Sequence, residues 1–92
     1  MLYLNELRLL GTVTKIQNKD DVTAKIILNV LRKNGLESDS IPIEISSVNK
    51  NEILNNIKVN DVILIFGRVI TKNGKLITIA DKVLCNTYCP KQ

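Results

Sequence analysis

The residues that usually carry catalysis are scarce in this sequence. Its 92 residues contain no histidine, and its nine carboxylates are scattered singly except for Asp20-Asp21, which falls in a polar turn. No glycine-rich phosphate loop precedes a helix, so most acid–base and phosphoryl-transfer chemistries lack their parts and no enzymatic activity is expected. Cys85 and Cys89 are four residues apart with no further cysteine. A structural zinc site takes four ligands, so neither a metal nor another cofactor is expected, and the two residues read as unpaired thiols near the end of the chain.

The chemistry that remains is that of cations. Lysine and arginine number 13 against nine acids, a formal net charge of +4, which favours an anionic partner such as nucleic acid. Several of these cations stand at turns, where a chain can follow a phosphate backbone. Lys72 and Lys75 flank Asn73-Gly74, and Lys33 opens the polar segment Lys33-Asn34-Gly35 that runs to Ser40.

The elements that must position them are strands. The composition is 45% hydrophobic, mainly Ile, Leu and Val, and only 3% aromatic; β-branched residues suit extended, half-buried surfaces. Leu7 to Ile16 reads as a first strand with Leu7, Leu9, Gly11 and Val13 on one face, and Gly11 predicts a bend or bulge in mid-strand. After a turn at residues 17–21, Val22 to Arg32 reads as a second strand, apolar on both faces. Ile41 to Ser47 is a third, with Ile41, Ile43 and Ile45 inward. Pro42 has no amide hydrogen, so the strand should be an edge at that point.

Asn49 to Ile57 is the one helical candidate: Ile53, Leu54 and Ile57 form a narrow apolar stripe, and Asn49 and Glu52 stand in capping-box positions. Val62 to Lys72 and Leu76 to Cys85 are the fourth and fifth strands, joined by Asn73-Gly74, the strongest hairpin signal in the chain. Three strands, a helix and two strands closed by a hairpin make an all-β chain: a five-stranded OB-fold Greek-key barrel with one short helix between strands 3 and 4. It fills a single domain over residues 1–92, irregular from about residue 86.

Along the fourth strand, Ile63, Ile65, Gly67 and Val69 form the core face. The alternate set Val62, Leu64, Phe66, Arg68 and Ile70 is a second apolar face, more than a small barrel needs. It reads as a subunit interface; the other readings are a base-stacking platform at Phe66, or a face covered by the helix, a loop or the chain's end. Nothing near Met1 resembles a signal peptide and no run approaches the roughly 20 apolar residues that span a bilayer, so the expectation is a cytoplasmic protein with no membrane partner.

Six segments in this order carry a family resemblance. Asn5, Leu7-Arg8-Leu9-Leu10-Gly11 and Val13-Thr14-Lys15 resemble the opening strand of the bacterial single-stranded-DNA-binding proteins and the related primosomal protein B. Leu28-Asn29-Val30-Leu31-Arg32 resembles their second strand, Ile41-Pro42 the entry to the third, and Asn51-Glu52-Ile53-Leu54 the helix. Gly67-Arg68-Val69-Ile70-Thr71-Lys72 is similar to their most recognisable motif, and Ala80-Asp81-Lys82-Val83 to the closing strand. The resemblance implies binding of single-stranded DNA without sequence preference in replication, repair or recombination, dimers or tetramers built partly through the first strands, and contacts with replication proteins.

At the motif positions the cations are Lys15, Arg32, Arg68 and Lys72, and a barrel of this kind brings Lys25 and Lys75 near them. Together with Lys33 and Phe66 they are the expected nucleic-acid-binding residues. Ser40 and Ser46 stand where the family carries aromatic residues on its third strand, and Tyr3, Phe66 and Tyr88 are the whole aromatic complement. Binding should therefore be mainly electrostatic, closest to the small members typified by primosomal protein B. The end, Asn86 to Gln92, has no acidic residue of the kind through which the family's replication proteins recruit partners. RNA fits the same scaffold, and a protein-interaction OB module in a larger assembly is the alternative reading.

Overall fold

A computed structural model of the chain describes residues 4–17, 24–45 and 50–85. The Asp20-Asp21 turn, the Val22 start of the second strand, the Asn49 cap, Ser46, Ser47, Tyr3, Tyr88, Cys89 and the closing segment lie outside the described residues.

Five strands and one helix follow in the expected order: β1 (Leu7–Gln17), β2 (Ala24–Leu31), β3 (Ser38–Ile45), α1 (Lys50–Asn56), β4 (Val62–Lys72) and β5 (Lys75–Cys85). They close into a barrel in the order β1-β2-β3-β5-β4. All neighbours are antiparallel except β3 and β5, which run parallel over Ile43–Ile45 and Thr78–Ala80. The all-β OB-fold barrel read from the sequence is the observed architecture.

The core follows from alternation. Val13, Ile26, Leu28, Ile43, Ile63, Ile65 and Ala80 are fully buried inside the barrel, and Ile53 and Ile57 of the helix segment close over them. Alternate residues point outward because successive side chains on a strand leave opposite faces. Ile41 packs against the core and Pro42 is exposed. Pro42 faces Ile27 of β2, while the ladder to β5 begins only at Ile43. On that side the strand is an edge at the proline, as the missing amide hydrogen requires.

β1 is shared between two neighbours, Leu7–Thr12 pairing with β4 and Thr12–Gln17 with β2. The expected bulge is not at Gly11: the register shifts between Val13 and Lys15, around Thr14. Gly11 instead serves close approach, since a Cβ there would lie 2.5 Å from the Asn29 carbonyl oxygen. A second irregularity falls between β4 and β5 beside Gly67, where a Cβ would run into the Ile79 carbonyl oxygen.

The third strand also begins earlier than the sequence suggests. Ser38, Asp39 and Ser40 continue the pairing with β2, although they carry no apolar alternation. They form a β-ribbon whose outer end stands clear of the core, so no face needs to be apolar there.

Candidate nucleic-acid interface

The outer face of β1, β2 and β3 carries the first group of cations. Lys15 stands opposite Ile27, and Ile27 opposite Pro42; the next row is Gln17, Lys25 and Glu44. Lys15 is exposed and Lys25 half-buried, and neither has an ion-pair partner among the described residues. Glu44 beside Lys25 is approached instead by Lys72, whose Nζ lies 3.7 Å from Oε1.

The β2–β3 turn is built by its own polar side chains. Gly35 takes φ +73°, and Asn34 Oδ1 accepts from the amides of Leu36 at 2.9 Å and Glu37 at 3.4 Å. Arg32 does not project freely from it. Its Nε and Nη2 donate to both carboxylate oxygens of Asp39 at 3.0 and 2.9 Å, and its Nη1 donates to Glu37 at 2.9 Å. Asp39 is held below the ordinary carboxylate pKa because it accepts these bonds from a cation. Arg32 in turn is held above its ordinary value by the bond and charge of Asp39. Two cations, Arg32 and Lys33, thus share the turn with two carboxylates. Lys33 is exposed and unpaired among the described residues.

The β4–β5 turn is the reverse case. Asn73 and Gly74 have φ of +54° and +77°, the left-handed pair required by a type I′ hairpin. That turn sets Lys72 directly opposite Lys75. Like charges facing each other across a ladder are destabilising. Glu44 meets one of them, and Lys75 is left without an acidic partner among the described residues.

Phe66 and Arg68 belong to a different side of the barrel, because β4 pairs with β1 and β5 and not with β2 or β3. The register places Arg8, Phe66 and Lys82 in one row across β1, β4 and β5. The Arg8 guanidinium and the Lys82 ammonium each lie 6.0 Å from the centre of the half-buried ring. Beside this row, Arg68 Nη1 is 3.5 Å from Asp81, and a shallow open hollow of about 400 Å³ runs from Asn5 past Phe66 to Asp81. On the other side lies an apolar row, Leu10, Leu64 and Leu84.

The sequence-expected residues therefore divide. Lys15, Lys25, Lys72 and Lys75 gather around β1, β2 and the final hairpin; Lys33 and Arg32 stand on the β2–β3 turn; Phe66 and Arg68 lie apart. The sequence does not single out Arg8 or Lys82, since only the pairing of β4 with both neighbours brings them to Phe66.

Comparison with solved structures gives this architecture its setting. The chain is similar to the dimeric N-terminal domain of PriB from Thermoanaerobacter tencongensis, with 25% identity, a TM-score of 0.67 and coverage of 89% of this chain and 96% of that one. Its architecture is that of PriB and the single-stranded-DNA-binding proteins. A small single-stranded-DNA-binding protein from Mycoplasma pneumoniae has the same fold at 17% identity and a TM-score of 0.66, covering 97% and 100% of the two chains. A mitochondrial single-stranded-DNA-binding protein from S. cerevisiae has it at 6% identity and a TM-score of 0.73, covering 91% and 96%. No family model matches the sequence, and no curated protein matches it. On an OB-fold the second and third strands, with the loops after β1 and between β4 and β5, form the usual ligand face. That is where Lys15, Lys25, Lys72 and Lys75 stand; the loop after β1 lies outside the described residues.

Proposed function

We propose that this chain binds single-stranded DNA without sequence preference, as a dimer or tetramer acting in the cytoplasm in replication, repair or recombination. The observation that carries the reading is a group of lysines among those left without acidic partners among the described residues: Lys15, Lys25, Lys33 and Lys75. Lys15, Lys25 and Lys75 lie on the ligand face of a barrel shaped like PriB and the single-strand-binding proteins, and Lys33 stands on the β2–β3 turn. Phosphate neutralisation by lysines supplies affinity that is independent of sequence and falls with salt. The opposed pair Lys72 and Lys75 fits the same purpose, because a phosphate between them relieves their repulsion.

Charge reversal at both Lys72 and Lys75, and separately at both Lys15 and Lys25, tests this. Each double variant should bind a labelled oligo-dT strand more weakly than the native chain, by an order of magnitude or more at low salt. Native affinity in both variants would overturn the assignment of this face. RNA of the same length, added as competitor, reports whether the binding extends to ribose.

A second reading is a protein-interaction module. Leu31 and Leu36 on the β2–β3 ribbon and Leu76 beside the final hairpin are 66%, 86% and 76% exposed, and exposed apolar surface marks partner sites where it is contiguous. Under that reading the protein purified alone binds no DNA and takes up a hydrophobic dye.

A further inference from the structure

Phe66 is the one aromatic residue among the described residues, and it lies outside the face to which the lysines point. We infer that the row Arg8–Phe66–Lys82 is a second contact for single-stranded DNA, where one base stacks on the ring and the flanking cations take the adjoining phosphates. The inference rests on the single-strand reading above and extends the DNA path from the β2–β3 side of the barrel across β1 to β4.

Three features of the row support it. The first is position: antiparallel pairing on both sides of β4 fixes Arg8 and Lys82 beside the ring rather than leaving them to chance. Secondly, both cations are exposed and neither has a carboxylate partner among the described residues, so the local charge is free for an anion. Of the acids lining the hollow, Asp81 already faces Arg68 at 3.5 Å, and only Glu6 opposes. The third is chemistry. A guanidinium plane stacks on aromatic rings and on bases while its donors reach phosphate, and base–aromatic stacking tolerates any sequence because every base has a π-face.

A subunit interface is the competing occupant of this face. Covering the row with a second copy would bury Arg8 and Lys82 with no carboxylate of their own, which is costly. The neighbouring Leu10, Leu64 and Leu84 row lacks that obstacle, so an interface there would leave the Phe66 row at its margin.

The test uses the full chain and a labelled oligo-dT strand. Phe66→Leu keeps an apolar side chain and removes the π-face, and Lys82→Gln removes one flanking cation from an exposed site. The expected result is a loss of affinity of roughly five- to hundredfold for Phe66→Leu, a smaller loss for Lys82→Gln, and ultraviolet crosslinking of an iododeoxyuridine-substituted strand to Phe66. Native affinity in both variants, alongside weakened binding in the Lys72/Lys75 charge reversal, would overturn the second contact and leave the proposed function standing. No binding by the native chain would overturn both. A change of oligomeric state in Phe66→Leu, read by sedimentation, would assign the ring to a subunit contact and also overturn the inference.

Discussion

Arg32 and Asp39 face each other across the β2–β3 turn in a two-bonded pair, Nε to Oδ2 at 3.0 Å and Nη2 to Oδ1 at 2.9 Å. A planar fork matched to a carboxylate holds geometry better than a lysine can. The pair therefore ties the polar end of the ribbon, where no core residue does so. It also removes from circulation a cation that the sequence assigns to phosphate contact.

Salt dependence separates these roles. Substituting Lys72 and Lys75 by glutamine should make the slope of log affinity against log salt shallower by about 1.4, at roughly 0.7 per phosphate on a single strand. The charge-conserving double substitution Arg32→Gln with Asp39→Asn should leave the slope unchanged. A change as large as that from one lysine would show that Arg32 leaves Asp39 for phosphate when DNA binds.

The same pair gives a pH signature. Asp39 has a folded pKa below its ordinary value, so its contribution to stability is fully present above about pH 4 to 5 and is lost as pH falls through the folded value. Urea unfolding of the native chain and Asp39→Asn should differ most near pH 7 and converge as pH falls through the folded value. A difference that grows on acidification would contradict the pairing. Exposure of the turn keeps the effect small.

Asn5 stands in for a strand residue. Its side-chain Nδ2 donates to the Val69 carbonyl at 2.6 Å and its Oδ1 accepts from the Val69 amide at 3.0 Å, which extends the β1–β4 pairing beyond Leu7 and Gly67. Asn5→Ala removes both bonds from the half-buried Val69 and should cost about 1–2 kcal/mol, measured by chemical denaturation. Asn5→Asp can accept but not donate and should fall between the two.

Gly67→Ala should be strongly destabilising. The added Cβ meets the Ile79 carbonyl, a backbone atom that cannot swing aside, so a loss of about 1–3 kcal/mol or more is expected. The melting temperature checks it. Gly74→Ala adds a Cβ that meets nothing within 4 Å and should cost less, through its positive φ alone.

Much of this fold is legible in the sequence because its rules are local. Ile41, Ile43 and Ile45 alternate and face inward, and Asn73-Gly74 adopts the two left-handed conformations that its composition favours. What stays hidden depends on register. Nothing near Arg8 in the chain announces Phe66, which is 58 positions on, and nothing near Phe66 announces Lys82. Arg32 reads as a free cation at a strand end until the turn folds Glu37 and Asp39 back upon it. Gly11 shows a related ambiguity: a glycine in a strand marks either a bulge or a close approach, and only the neighbouring Asn29 carbonyl decides for the second. Ser38-Asp39-Ser40 reads as loop because pairing beyond the core leaves no apolar trace.

The most direct measurement is fluorescence anisotropy of a labelled oligo-dT strand and a matched duplex, each titrated with the native protein at two salt concentrations. The label belongs on the DNA, since the chain has no tryptophan. Tight, salt-sensitive binding to the single strand and much weaker binding to the duplex is the expected result. Equal binding to both, or none to either at low salt, would contradict single-strand recognition and turn the search towards protein partners.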